Sequence, residues 1–221
     1  MKGESMPNRF FTESDIRTSA ETAWRSTLAE ELRFRKPVGD LHAAAVYSTP
    51  EIYLYEEASF KPYGAKLVLH MQDDGLGAGL YVERGYLWAA ESGWTLQPHW
   101  DWHHFLHLFG NDPGFQALFH DARASHEGFA FWIQSGEADD EELSVYASKA
   151  PIATLHALLA TWPGHLWCDV YFSTLIPKDI LLQADDEEVL KAIAAPLTAV
   201  APIYWAIVNR RRSVKPSAFG G

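Results

Sequence analysis

Between His42 and Trp88 the chain falls into short runs of β-forming residues, each closed by a turn signal. His42 to Tyr47 is a short candidate strand. Glu51-Ile52-Tyr53-Leu54-Tyr55 is a clear one. Lys66 to Met71 follows a Pro62–Gly64 turn, Gly79 to Arg84 follows Asp73-Asp74-Gly75, and Tyr86-Leu87-Trp88 continues the series. Strands this short with turns between them predict an antiparallel meander. Phe129 to Ile133 and Leu143 to Ala147, joined by the acidic loop Glu137 to Glu142, predict a later hairpin. Trp167 to Phe172 reads as a further strand, with Ile180 to Leu182 near it.

Helices flank and interrupt these strands. Trp24, Leu28 and Leu32 recur every four residues, which predicts a helix from about Ala20 to Phe34 with one buried stripe. Thr18 and Glu21 have capping-box spacing, and Pro37 and Gly39 end the helix. Residues 101–110 read as a helix with Asp101 as N-cap and Gly110 as its stop. Asp112-Pro113 opens the next, with Phe115, Leu118 and Phe119 on its apolar face. Pro151 starts another, carrying Ile152, Leu155, Leu158 and Leu159. The last begins at the acidic run Asp185-Asp186-Glu187-Glu188, which suits the positive end of a helix dipole. Its stripe is Val189, Ile193, Leu197, Val200, Tyr204 and Ile207, bent or divided at Pro196 and Pro202. The expected fold is one α+β domain over residues 18–212: a largely antiparallel sheet covered by N-terminal, central and C-terminal helices. Residues 1–17 and 213–221 are expected to be flexible.

Charge and cysteine content narrow the function classes. The formal net charge of −11 argues against sequence-independent binding to nucleic acid or to an anionic membrane, without excluding a local basic groove. The basic spots are Arg33, Arg35 and Lys36, and Arg210-Arg211-Arg212 with Lys215, all near helix ends. Cys168 is the single cysteine, which fits a reducing, cytoplasmic setting. The first residues have no apolar run of the secretory kind. The most apolar stretch, Ala192 to Val208, is interrupted by two prolines, so no membrane span is expected.

Several segments carry candidate chemistry. His103 and His107 are four apart, so a helix puts both on one face, and His99 or Asp101 can supply a further ligand. That set would suit a divalent transition metal such as zinc and a metal-dependent hydrolase. The zincin pattern needs Glu after the first His, and His104 stands there instead. His103 or His104, oriented by Asp101, is also a candidate general base. The run Gly75-Leu76-Gly77-Ala78-Gly79 lies between strands and reads as a hairpin loop rather than a dinucleotide fingerprint. Asp73, Asp74 and Glu83, with Glu56 and Glu57, are a candidate Mg²⁺ cluster. No Gly-x-Ser-x-Gly elbow and no P-loop occur.

The aromatic fraction of 14 %, with nine tryptophans, is high. Tyr53 and Tyr55 share a sheet face, and with Trp88, Trp100 and Trp102 they can line a pocket for a planar or sugar-like ligand. Aromatics are also good strand formers that pack on helices. The leading expectation is a non-catalytic binding module with an aromatic-lined pocket, for a small-molecule or protein partner. The alternatives are the metal-dependent hydrolase, and a nucleic-acid reader or nuclease accessory component.

Overall fold

A computed structural model describes residues 8–12, 23–46, 49–57, 64–84, 87–89, 93–95, 100–136, 143–146, 151–163 and 166–209. Residues 87–89, 93–95 and 143–146 are described by their backbone alone. The chain forms an α+β fold. Its centre is an antiparallel sheet built from β1 (His42–Ala45), β2 (Glu51–Tyr55), β3 (Lys66–Gln72), β4 (Gly75–Glu83), β7 (Ala130–Gly136), β8 (Leu143–Tyr146) and β9 (Trp167–Pro177). Among the described residues the strand order is β1-β2-β3-β4-β9-β7-β8. The expected meander and hairpin are both there. The last strand in sequence lies between them and pairs with β4 on one side and β7 on the other.

The helices are α1 (Ala23–Arg35), α2 (Trp100–Asn111), α3 (Pro113–Ser125), α4 (Ile152–Ala160), α5 (Lys178–Gln183) and α6 (Asp186–Val208). They share one apolar core with one face of the sheet. Ile52, Leu67, Leu69, Ala78, Leu80, Val170, Phe172 and Ile133 are buried there. Register explains the match: Ile52 faces Leu69, Leu69 faces Ala78, Leu80 faces Phe172 and Phe172 faces Phe131, so alternate residues all point to the helices. Phe172 is the hub, with its ring centroid 4.7 Å from Phe131, 4.9 Å from Phe119 and 5.0 Å from Phe129.

Several local details depart from the sequence reading. The glycine run is strand, not loop: β4 begins at Gly75, and the turn is Asp73–Asp74. Residues 87–89 form β5 and pair with β6 (Gly93–Thr95) in a separate ribbon instead of extending the main sheet. Ile180–Leu182 lies in helix α5, not in a strand. Asp101 sits inside α2 rather than capping it, because its carboxylate is turned to accept from the Ala65 N–H at 2.9 Å. Gly110 also lies inside α2, where a side chain would run into the His156 imidazole of α4. Helix α6 runs unbroken through Pro196 and Pro202, both of which it accommodates. By length and composition α6 would suffice to cross a membrane, but here its apolar stripe packs on the sheet.

The helix starts behave largely as read. Asp112 accepts from the N–H groups of Gly114 and Phe115, with Pro113 following it. Asp185 and Glu188 form a reciprocal capping box. Thr18 and Glu21 lie outside the described residues, as do Glu137–Glu142, Arg210–Arg212 and the tail. Within 1–17, residues 8–12 are tied to the core: Phe10 and Phe11 are buried, and the Asn8 amide donates to the Leu181 carbonyl at 2.6 Å.

Phe172→Ala is expected to cost about 3–5 kcal/mol in urea unfolding, because it empties a hub packed on every side. Phe34→Ala, at a side chain 82 % exposed, is expected to stay within about 0.5 kcal/mol of the parent.

Candidate functional site

The second face of the sheet carries the unusual chemistry. Alternation along each strand sends Glu51, Tyr53, Lys66, His70, Tyr81, Glu83, Asp169 and Tyr171 to the side away from the helices. Exposed sheet faces are normally wet, yet most of these side chains are buried; Lys66 is only 1 % exposed. Val68, Tyr81 and Tyr171 form a small apolar cluster of their own, with Tyr53 and Trp132 against it. No described helix contributes to that cluster.

A cavity of about 430 Å³ opens over this cluster. Its polar lining is Thr49, Glu51, His70, Gln134 and Asp169, and its aromatic walls are Tyr53, Tyr81, Tyr171, Trp132 and Trp167. This is the size range of small-molecule sites.

Hydroxyls hold Glu51 in place. Thr49 donates to it at 2.7 Å, Tyr53 at 2.8 Å and Tyr171 at 3.2 Å, so three donors solvate the carboxylate in place of water. Buried Arg25 on α1 fixes the rim by donating to the carbonyls of Val46 and Thr49. Lys66 and Glu83 form an ion pair at 3.7 Å behind the cavity wall. The Lys66 ammonium also lies 4.7 Å from the Tyr53 ring centroid and 5.1 Å from that of Tyr81, a cation–π arrangement. Asp101 supports this arrangement from the core side, since its bond to Ala65 anchors the residue before Lys66.

Burial perturbs the charges strongly. It lowers the Lys66 pKa, opposed by the negative charges of Glu83, Asp169 and Glu51. It raises Glu83, against the pull of Lys66. Asp169 is held well above the ordinary aspartate value, first by burial and then by the Glu83 charge. Its Oδ1 is enclosed and accepts no hydrogen bond. Tyr53, Tyr81 and Tyr171 are all pushed up, chiefly by burial, so their hydroxyls stay protonated as donors.

His70 is driven down to about 4 by burial. Its ring lies across Gly77, where any side chain would collide with it. Ring contacts to Trp132 at 5.7 Å and Tyr171 at 5.3 Å complete the seat. Nε2 meets the Gln72 amide, while Nδ1 is buried without a partner. Trp167 is seated in the same manner over Gly136: a Cβ there would stand 2.9 Å from the indole Nε1.

Of the aromatic residues expected to line a pocket, Tyr53 does so. Tyr55 shares its face but sits at the strand end, 5.3 Å from the His42 ring. Trp102 is buried in the helical core, Trp100 is half-exposed on α2, and the Trp88 side chain lies outside the described residues. The expected metal set is divided. His103 and His107 share an exposed face of α2, Asp101 is fully buried on Ala65, and His99 lies outside the described residues. Among the described residues no three His, Cys, Asp or Glu side chains converge as metal ligands.

The expected Mg²⁺ cluster fails for a geometric reason. Asp73 and Asp74 are at one end of β4 and Glu83 at the other, nine residues away, roughly 30 Å along a strand. Cys168 is buried on the core face, and burial pushes its thiol well up, as for an inert side chain. Of the basic spot on α1, Arg35 is paired with Glu31 and Glu187, and Lys36 with Asp40.

Lys66, His70, Asp169, Tyr171, Trp132 and Trp167 escaped the sequence reading of the site. A signal was present: Lys66 and His70 stand at period-two positions in an otherwise apolar strand, and Asp169 interrupts Cys168 and Val170. Comparison with known protein families finds no model that matches this chain, and comparison with curated proteins finds no match.

Two outcomes are expected from stability measured against pH. Because the folded-state pKa of His70 lies below the ordinary 6.5, its stabilising share is present above 6.5 and is lost as pH falls through about 4. That displacement is worth about 3 kcal/mol, so His70→Phe should flatten the acid limb of the profile by a comparable amount. Asp169 has the opposite sign: its raised pKa favours folding at low pH and disfavours it as pH rises. Asp169→Asn should therefore stabilise at pH 7 by on the order of 1 kcal/mol, with the gain vanishing below the ordinary aspartate value of 3.8.

Proposed function

We propose that this protein is a small-molecule binding module, and that its ligand occupies the cavity on the second face of the sheet. The observation that carries the reading is a cavity of about 430 Å³ with five aromatic walls and a few buried polar groups. A flat-walled site with sparse polar groups selects a ligand by shape and then fixes its orientation. The cavity is also rigidly framed. Its residues come from five neighbouring strands, two of its rings rest on glycines, and Glu51 is locked by three hydroxyls.

The other expected functions have less behind them. A hydrolase on the His99–His107 segment lacks a converging ligand set among the described residues. A nucleic-acid reader must contend with the net charge of −11 and with ion pairs on Arg35 and Lys36. One observation favours a second reading of the same cavity. Glu51 accepts from three hydroxyls, whereas Asp169 has the Tyr81 hydroxyl and one oxygen left without a donor, the asymmetry that acid–base pairs use.

Thermal shift against a panel of planar amines, nucleosides, sugars and short peptides tests the binding reading. At least one compound is expected to raise Tm by several degrees at saturation. Gln134→Trp, which fills the cavity, should abolish that shift while leaving the Tm of the free protein close to the parent's. A panel without a hit, or hits unaffected by Gln134→Trp, would refute the site. NMR of the bound compound after prolonged incubation separates the two readings: an unchanged compound supports binding, and a product supports acid–base turnover.

A further inference from the structure

We propose that the ligand of this cavity is a small organic cation with an aromatic or apolar body, its ammonium received between Asp169 and Glu51. The inference rests on the binding reading above and names its ligand class.

The first argument is the sign of the lining. Glu51 and Asp169 border the cavity, and among the described residues no lysine or arginine does. The one cation of the cluster, Lys66, is turned behind the wall onto Glu83 and the faces of Tyr53 and Tyr81. Among the described residues, an anion entering here would meet two carboxylates and no lysine or arginine.

The second argument is an unmet polar atom. Asp169 Oδ1 is enclosed without a donor, in a protein where Glu51 receives three. Buried polar atoms left without partners are uncommon, and each calls for an explanation. A ligand ammonium carries up to three N–H donors, one of which would meet a carboxylate oxygen left without a partner.

The third argument is the walls. Tyr171, Trp132 and Trp167 present aromatic surface beside the carboxylates. Aromatic faces attract cations through the ring quadrupole, most strongly where water is excluded. The cluster already shows this chemistry internally, since Lys66 uses two tyrosine faces in that manner.

Three probes of one shape decide the matter: benzylamine, benzyl alcohol and benzoate, titrated by calorimetry at pH 7 into the full chain. Benzylamine is expected to bind at least tenfold more tightly than the alcohol, and benzoate not at all. Asp169→Asn should weaken benzylamine at least tenfold and leave the alcohol unchanged. Loss of fold does not imitate this result, because Asp169→Asn is expected to melt no lower than the parent, and the alcohol serves as a check within the same variant. Equal or tighter binding of alcohol or benzoate would overturn the cation class, as would cavity binding by other panel compounds with no response to benzylamine; both leave the cavity reading intact. If neither these probes nor the wider panel bind in a manner sensitive to Gln134→Trp, both inferences fall together.

Discussion

A lysine that is 1 % exposed must be solvated by the protein itself, and the second face of the sheet is organised around that need. Lys66 cannot reach water, so it is surrounded by what water would have offered. Glu83 supplies a counter-charge at 3.7 Å, and the tyrosine faces supply diffuse negative potential. A carboxylate brought in for this purpose must itself be solvated, which draws in the Tyr81 hydroxyl, while the like charge of Asp169 nearby works against it. Glu51 closes the set from β2, held by hydroxyls from β2, β9 and the loop before β2. The sheet thus has two enclosed faces with different physics. One is apolar and filled by helices; the other is polar and aromatic and keeps a cavity.

Register makes the polar face possible. Side chains alternate with period two, so a one-residue slip of β3 would send Lys66 and His70 into the apolar core and Leu67 and Leu69 out of it. Glycine then makes room. His70 and Trp167 each lie over a glycine on the adjacent strand, where a Cβ would displace the ring. The same device recurs away from the sheet, at Gly110 beneath His156. These glycines act by omission of a side chain, not by adopting a special backbone angle. Only Gly75, at the turn, has a positive φ among the glycines of β4.

Much of the fold was legible because hydrophobic period and local chemistry pointed the same way. The stripe on α6 and the caps Asp112 and Asp185 needed no knowledge of distant residues. What stayed illegible was set by tertiary partners. Asp101 has the look of a cap in sequence, but Ala65, thirty-six residues earlier, takes its carboxylate. The glycines of β4 resemble a loop until the His70 ring is placed over one of them. The central position of β9 follows from pairing with both β4 and β7, and no local pattern in Trp167–Phe172 encodes it. The site suffered most for this reason. Its residues come from β2, β3, β4, β7 and β9, so each looks like an isolated polar interruption in a strand. The histidine-rich stretch drew the eye because its chemistry was contiguous, whereas the structure puts Asp101 and Trp102 in the core and leaves His103 and His107 on the surface.

The energetic character of the polar face bears on why it exists. Replacing a buried ion pair by apolar residues of similar volume is often neutral or stabilising, so folding alone does not require Lys66 and Glu83. Asp169 is a harder case, because burial and a like-charged neighbour both work against its charge, and its Oδ1 lacks a donor. A tyrosine or leucine at these strand positions would satisfy the alternation equally well. Groups that oppose stability while bordering a cavity are the usual mark of a site whose missing partner is not part of the chain. By contrast the aromatics of the core face are packed ring against ring around Phe172. The two faces share the same strands, so the rigid apolar packing on one side holds the strained polar groups on the other in register.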